Sequence, residues 1–296
     1  MQDIIAIVGP TASGKSDLAL SLASKLDGVI LSVDSLSVYK EIDIASAKPR
    51  RDELASIKHF GVDLLYPNES FDVVQFLAEF QKAKEYAKQK QKKLIIVGGS
   101  SFYLKILSEG ISQKPEISDE VAKKVKEAMQ DKEKAYDFLE NIDKAYMQNI
   151  KSNDSYRIEK ALEIYYASGK TPTEYFKQNP KKPIVANLPI YEIAVDRNTL
   201  RERIAKRTAK MLEMGLIDEV AFLERKYTRE PNAMKAIGII ETLSYLDGRL
   251  NKKELFEKIV TNTARLAKRQ VTFNKTQLTI TFSGSSQEIE QKVIDN

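Results

Sequence analysis

Residues 9–16 read GPTASGKS, which satisfies G-x-x-x-x-G-K-[ST], the pattern in which a tight turn aims successive backbone N–H groups at phosphate oxygens. Gly9 and Gly14 permit the wrap, and Pro10, Thr11, Ala12 and Ser13 fill it. Lys15 adds a cation, Ser16 a hydroxyl able to ligate magnesium, and the helix that follows its positive dipole end. This is a cradle for a diphosphate or a triphosphate, and the pattern does not say which. A second group lies in SVDSLSVYKEIDIASAKP, where Asp34 stands just past the end of an apolar run. A carboxylate there can bind magnesium, accept a proton from a nucleophile, or cap the next helix. Ser35, Ser37 and Tyr39 bring hydrogen-bonding groups to the same rim. The third group is VGGSSFYLK, in which Gly98 and Gly99 let backbone approach a ligand and Ser100 can cap a helix beginning near Phe102.

Such groups meet only if strands and helices bring them together. The short β-branched run Ile4–Val8, a helical spacing over residues 16–26, a second run at Val29–Val33, a Lys-rich helix over 74–93 and a third run at Leu94–Val97 alternate strand with helix. Continuous apolar strands separated by helices imply a parallel sheet covered on both faces, with ligands at the carboxyl ends of the strands. From about residue 113 the strand signal stops. Ser118, and later Thr171-Pro172-Thr173-Glu174, read as helix starts, with Gly169 as a stop between them. Strand character returns at Tyr191–Val195 and Leu278–Phe282. The expected architecture is therefore α/β: a P-loop NTPase-like parallel-sheet core, residues 1–112 and 188–296, carrying an inserted helical lobe, residues 113–187.

Composition narrows the chemistry. The 296 residues, 42% of them hydrophobic, suffice for a full core. Zero Cys removes disulfides, thiolate nucleophiles and cysteine-ligated zinc, and a single His, His59, argues against histidine metal clusters. No apolar run reaches the length of a membrane span, and MQDIIAIVGPTASGK is unlike a signal peptide, so a cytoplasmic protein is expected. The net charge of +5 sits mostly in residues 188–296, which hold 19 basic and 15 acidic side chains. Arg203, Lys206, Arg207 and Lys210 share one helix face, as do Arg265, Lys268 and Arg269, which suits a polyanionic partner or a merely solvated surface.

GPTASGKS, SVDSLSVYKEIDIASAKP, IIVGGSSFYLKILSEG, RTAKMLEMGLIDEV and TARLAKRQVTF, in this order and spacing, resemble the tRNA dimethylallyltransferases, also called tRNA isopentenyltransferases. The similarity runs over essentially the whole chain. It implies a magnesium-dependent enzyme that moves the dimethylallyl group of dimethylallyl diphosphate to the exocyclic amine of adenosine 37 in tRNAs reading codons that begin with U. It also implies roles. Residues 9–16 would bind the diphosphate, with Thr11 near the reacting centre and magnesium on Ser16. Arg207 would reach the same diphosphate, and Asp34 would be the base that takes the amine proton. Asp34, Ser35, Leu36, Ser37 and Ser100 would contact tRNA around the flipped base, and Arg157 would contact it from the helical lobe. A monomer is expected.

The sequence departs from the family pattern in places. Tyr156 and Lys160 replace a Gln and an Arg after Asn153-Asp154, and Ile239 and Ile240 replace a Tyr and a Lys. His59 and Tyr103 read as structural side chains. Three other readings compete: a P-loop nucleoside or metabolite kinase, an isopentenyltransferase acting on free adenine nucleotides, and an RNA-binding protein with a vestigial loop. The inserted segment shows no arginine cluster of the kind that closes over ATP. Lys15, Ser16 and Asp34 are all intact, which disfavours the vestigial loop.

Overall fold

The computed structural model describes residues 3–295. The core begins β1 (Ile4–Val8), α1 (Lys15–Lys25), β2 (Gly28–Ser32), α2 (Arg51–Ser56), β3 (His59–Phe60), α3 (Val73–Gln89), β4 (Lys93–Val97) and α4 (Ser101–Glu109). Five helices follow: α5 (Asp119–Ala128), α6 (Lys132–Ile142), α7 (Lys144–Met147), α8 (Ser155–Ser168) and α9 (Pro172–Gln178). The chain then runs through β5 (Ile190–Ile193), α10 (Arg197–Glu213), α11 (Leu216–Tyr227), α12 (Ile239–Leu246), α13 (Lys252–Gln277), β6 (Phe282–Gly284) and α14 (Ser286–Ile294). Two compact units result, one of residues 1–105 with 187–296 and one of residues 106–186.

The first unit is built on a six-stranded sheet ordered β3-β2-β4-β1-β5-β6, every pair parallel, with Ile5 opposite Ile95 and Ile7 opposite Tyr191. Parallel strands buried on both faces read as unbroken apolar runs, and IIAIV and LIIV are such runs. On one face Ile5, Ile7, Ile30, Ile95 and Val97 pack with Leu18 and Leu22 of α1 and Ile289 and Val293 of α14. The alternate residues Ala6, Val8, Leu31 and Ile96 are buried too, and α3 lies against β2 and β4. Beyond β2, a separate cluster fixes the following rim: Val38, Tyr39, Ile42 and Ala45 pack with Leu216, Val220, Ile239, Leu243 and Ile259 from α11, α12 and α13.

Two sequence expectations need correction here. The last strand lies at Phe282–Gly284 rather than Leu278–Phe282, because α13 continues to Gln277 and the Leu278 N–H closes it on Asn274 O. The Lys-rich helix stops at Gln89, with Gln91 turning the chain at φ 54°. The two-residue strand β3 has no signal of its own length in the sequence.

In the second unit, Val125, Leu139, Met147, Ile150, Ile158 and Leu162 form the core. Its helices start where caps stand. Ser118 Oγ accepts from Val121 N at 3.3 Å, and Thr171 and Glu174 form a capping box. Gly169, left-handed at φ 69°, ends α8. Buried Asp143 links two helices by accepting from Tyr146 N at 3.1 Å and Thr173 N at 2.7 Å. Among the described residues no helix is long and apolar enough to cross a membrane.

Candidate active site

The phosphate loop leaves β1 and turns through Gly9 (φ 150°), Ala12 (φ 64°) and Gly14 (φ 95°) before α1 begins at Lys15. Ser13 N donates to Pro10 O at 3.2 Å and the Arg203 guanidinium to Ser13 O at 3.1 Å, so α10 holds the loop from outside. Lys15 curls back over the turn, with Nζ donating to Pro10 O at 2.8 Å. Burial pushes its ammonium down to about 8; the Asp34 carboxylate opposes that shift and the Arg207 charge adds to it. Arg207 is likewise pushed below its usual value by burial, with Asp34 again opposing. Lys15, Arg207 and Asp34 thus feel one another electrostatically across a single site.

Asp34 follows β2 at the carboxyl end of the sheet. Its Oδ1 accepts from Leu36 N at 2.9 Å and Ser37 N at 3.2 Å, so the carboxylate does cap a turn, but with one oxygen only. The position depends on a neighbour with no side chain. A Cβ on Gly98 would lie 2.6 Å from Val33 C and 2.9 Å from Asp34 N, so only glycine lets β4 end this close to the Asp34 turn. Val33 N→Val97 O (2.8 Å) and Ser100 N→Val33 O (3.1 Å) seal the two strand ends together. Ser37 is 4% exposed, and its hydroxyl pairs with Ser32 Oγ at 3.0 Å.

One cavity of about 550 Å³ collects most of the sequence-derived residues. Thr11, Lys15, Ser16, Asp34, Ser35, Leu36, Ser37, Ser100 and Arg207 all line it. Gly9, Pro10, Ala12, Ser13 and Gly14 shape the loop behind that wall. Apolar side chains complete the lining, among them Ile204, Met211, Ile237, Ile259 and Leu266. Arg157 belongs to the second unit, exposed at the start of α8, with its guanidinium 3.4 Å from Asp154. There Tyr156 is 67% exposed, with Lys160 Nζ 5.8 Å from its ring centre. Ile239 is buried in the core and Ile240 is 47% exposed, so the two departures at 239–240 serve different ends.

Several lining residues have no role that the sequence assigns. His59 lines the cavity from β3, its Nδ1 2.8 Å from Ile57 O, and Lys48 lines it with Nζ between Asp43 (2.7 Å) and Asp63 (2.5 Å). Tyr103 is the packing residue it looks like, stacked on Phe76 at 4.3 Å. Most telling is Gln270, inside the TARLAKRQVTF segment. Its Oε1 accepts from Thr11 N at 2.8 Å and its Nε2 donates to Gly99 O at 3.0 Å. Helical spacing could have found it, since Ile259, Thr263, Leu266 and Gln270 recur at i, i+4, i+7 and i+11 along one face of α13.

The IPP transferase family model matches residues 37–277, a stretch that includes parts of both units. The chain is 56% identical to a tRNA dimethylallyltransferase of Nautilia profundicola, over 98% of this chain and 99% of that one. It is 55% identical to a tRNA dimethylallyltransferase of Sulfurovum sp., over 97% and 96%. Among solved structures, a eukaryotic dimethylallyltransferase acting on tRNA superposes with a TM-score of 0.83 at 26% identity, covering 95% of this chain and 74% of that one. A Bacillus halodurans tRNA isopentenylpyrophosphate transferase gives 0.71 at 28% identity, covering 100% and 96%. Likeness of this extent, in sequence and in fold, leaves one assignment: the chain belongs to the IPP transferase family.

Proposed function

We propose that the protein transfers the dimethylallyl group of dimethylallyl diphosphate to the N6 amine of adenosine 37 in tRNAs reading codons that begin with U, acting as a cytoplasmic monomer. The observation that carries this reading is the shared cavity, in which a phosphate loop, a carboxylate and an arginine meet an apolar wall. A diphosphate seated on residues 9–16 would be held by loop amides, Lys15 and Arg207, which concentrate positive charge where the leaving group gains negative charge. The five-carbon chain would lie against Ile204, Met211, Ile237, Ile259 and Leu266. As the carbon–oxygen bond breaks and the nitrogen–carbon bond forms, the amine loses a proton. Oδ1 of Asp34 is tied to the rim amides, which leaves Oδ2 to accept it.

The Ser16 hydroxyl in the phosphate loop is a hard oxygen donor, which suits a divalent cation. Among the described residues no cluster of three or more His, Asp or Glu surrounds a metal position. Magnesium binds through few protein ligands together with substrate phosphates and water. When bound, magnesium would neutralise charge on the diphosphate oxygens. Ser35, Leu36 and Ser100 would meet the nucleotide that enters the cavity, and Arg157 the RNA bound at the helical unit.

The test is a pair of labels. With magnesium and unmodified tRNA, label in the dimethylallyl group should enter RNA, label in the γ-phosphate of ATP should not, and AMP should be a poor acceptor. Preferred modification of AMP would move the protein to the free-nucleotide branch, and phosphoryl transfer without prenyl transfer would make it a kinase.

A further inference from the structure

Gln270 is placed to do more than fill space. It bridges two backbone segments that carry different halves of the site: Thr11, in the phosphate loop, and Gly99, one residue beyond the glycine that abuts the Asp34 turn. A backbone N–H only donates and a carbonyl only accepts, so the amide has a single allowed orientation, Oε1 toward Thr11 and Nε2 toward Gly99. The contact also fits sterically from the far side. A Cβ on residue 99 would lie 2.4 Å from Gln270 Nε2, so the turn leaves this amide the room a side chain would take. Behind it, the long helix α13 is anchored by Leu255, Ile259 and Ala267 in two core clusters, which makes it a rigid base for the bridge.

We propose that Gln270 is a positioning residue for the transfer reaction, setting the distance between the diphosphate loop and the Asp34 rim. The inference rests on the prenyl-transfer reading above. Leaving group and proton acceptor must lie on opposite sides of one reacting carbon–nitrogen pair, and misplacement by about 1 Å lowers rate on the order of 100-fold. The loop and the rim hang from different strands, β1 and β2, with β4 between them. Gln270 is the side chain that ties the loop directly to the segment packed on the rim.

The experiment compares the parent protein with Gln270→Met, which keeps length and loses both bonds, and with Gly99→Ala, which pushes the amide away from the turn side. Dimethylallyl transfer to unmodified tRNA is measured as kcat and KM separately, with binding of inorganic pyrophosphate alone as the probe of the cradle. Each variant should lose kcat by about 10- to 100-fold, while pyrophosphate affinity and tRNA affinity stay within about threefold. The double variant should be no slower than the worse single one, because both break the same bridge. Gly99→Ala keeps the test open if Gln270→Met does not fold, since residue 99 does not need a positive φ. Parent-like kcat in either variant, or a loss confined to pyrophosphate affinity, overturns the role of Gln270. Absence of transfer by the parent itself would instead overturn the reading on which the inference rests.

Discussion

A lysine drawn out of water gives up its proton more readily, and Lys15 does so at about 8 instead of 10.5 because burial outweighs the help of Asp34. Two consequences follow from the sign. In the free protein Lys15 is charged below about pH 8 and neutral above it, whereas a diphosphate seated on the loop as proposed would hold the proton on. The kcat/KM for the allylic donor should therefore fall about tenfold per pH unit above pH 8, with kcat at saturating donor holding to higher pH. Stability moves the other way: between pH 8 and 10.5 the unfolded chain binds more protons at this residue, so stability gains with rising pH in that window. Lys15→Met should accordingly stabilise the fold at pH 7 while abolishing transfer. A variant that is both inactive and less stable would mean that the ammonium supports the fold and not the ligand.

Helices set which of these side chains meet. Arg203, Lys206 and Lys210 lie together on α10, but Arg207 stands roughly 60° from Ile204 and 100° from Thr208, at the seam between the basic stripe and the buried face. Read as a stripe, the four residues look alike; packing turns Arg207 toward the cavity and leaves Lys206 and Lys210 exposed. The phosphate loop, Asp34 and the Gly98–Ser100 turn were legible because each is a local pattern with a fixed backbone consequence. Gln270 and Lys48 also stand inside family segments, but their roles were not legible, since the partners of Gln270 lie far off in sequence and Asp43 and Asp63 meet Lys48 only through loop closure. Glu219 shows the same limit. It looks like a first-turn acid of α11, yet its carboxylate accepts three backbone N–H groups, from Asp43 (2.9 Å), Ile44 (2.7 Å) and Ala45 (2.9 Å). That clasp pins the loop carrying Lys48 beside the cavity. Glu219→Ala should cost about 2 kcal/mol by urea denaturation, with Glu219→Gln losing less because one acceptor oxygen survives. A loss below about 0.5 kcal/mol would mean that water replaces the carboxylate at all three amides.

For the molecule as a whole, the division of charge separates chemistry from grip. The helical segment 113–187 is nearly balanced, 14 basic against 13 acidic side chains, while the final third holds the surplus. On α13 that surplus is set apart from the site. Ile259, Thr263, Leu266 and Gln270 face the cavity, whereas Arg265, Lys268, Arg269 and Lys275 are exposed. One helix can thus line the cavity and present cations to a phosphate backbone. If the exposed row meets tRNA, each lost contact removes a released counterion, so log affinity should depend less steeply on log salt. Replacing Lys268 and Arg269 together by Gln should weaken tRNA binding at low salt and flatten that slope by about 1.5. At saturating tRNA, kcat should be unchanged, because neither residue lines the cavity. An unaltered slope would make the row a solvated face, and the polyanion would then be held elsewhere.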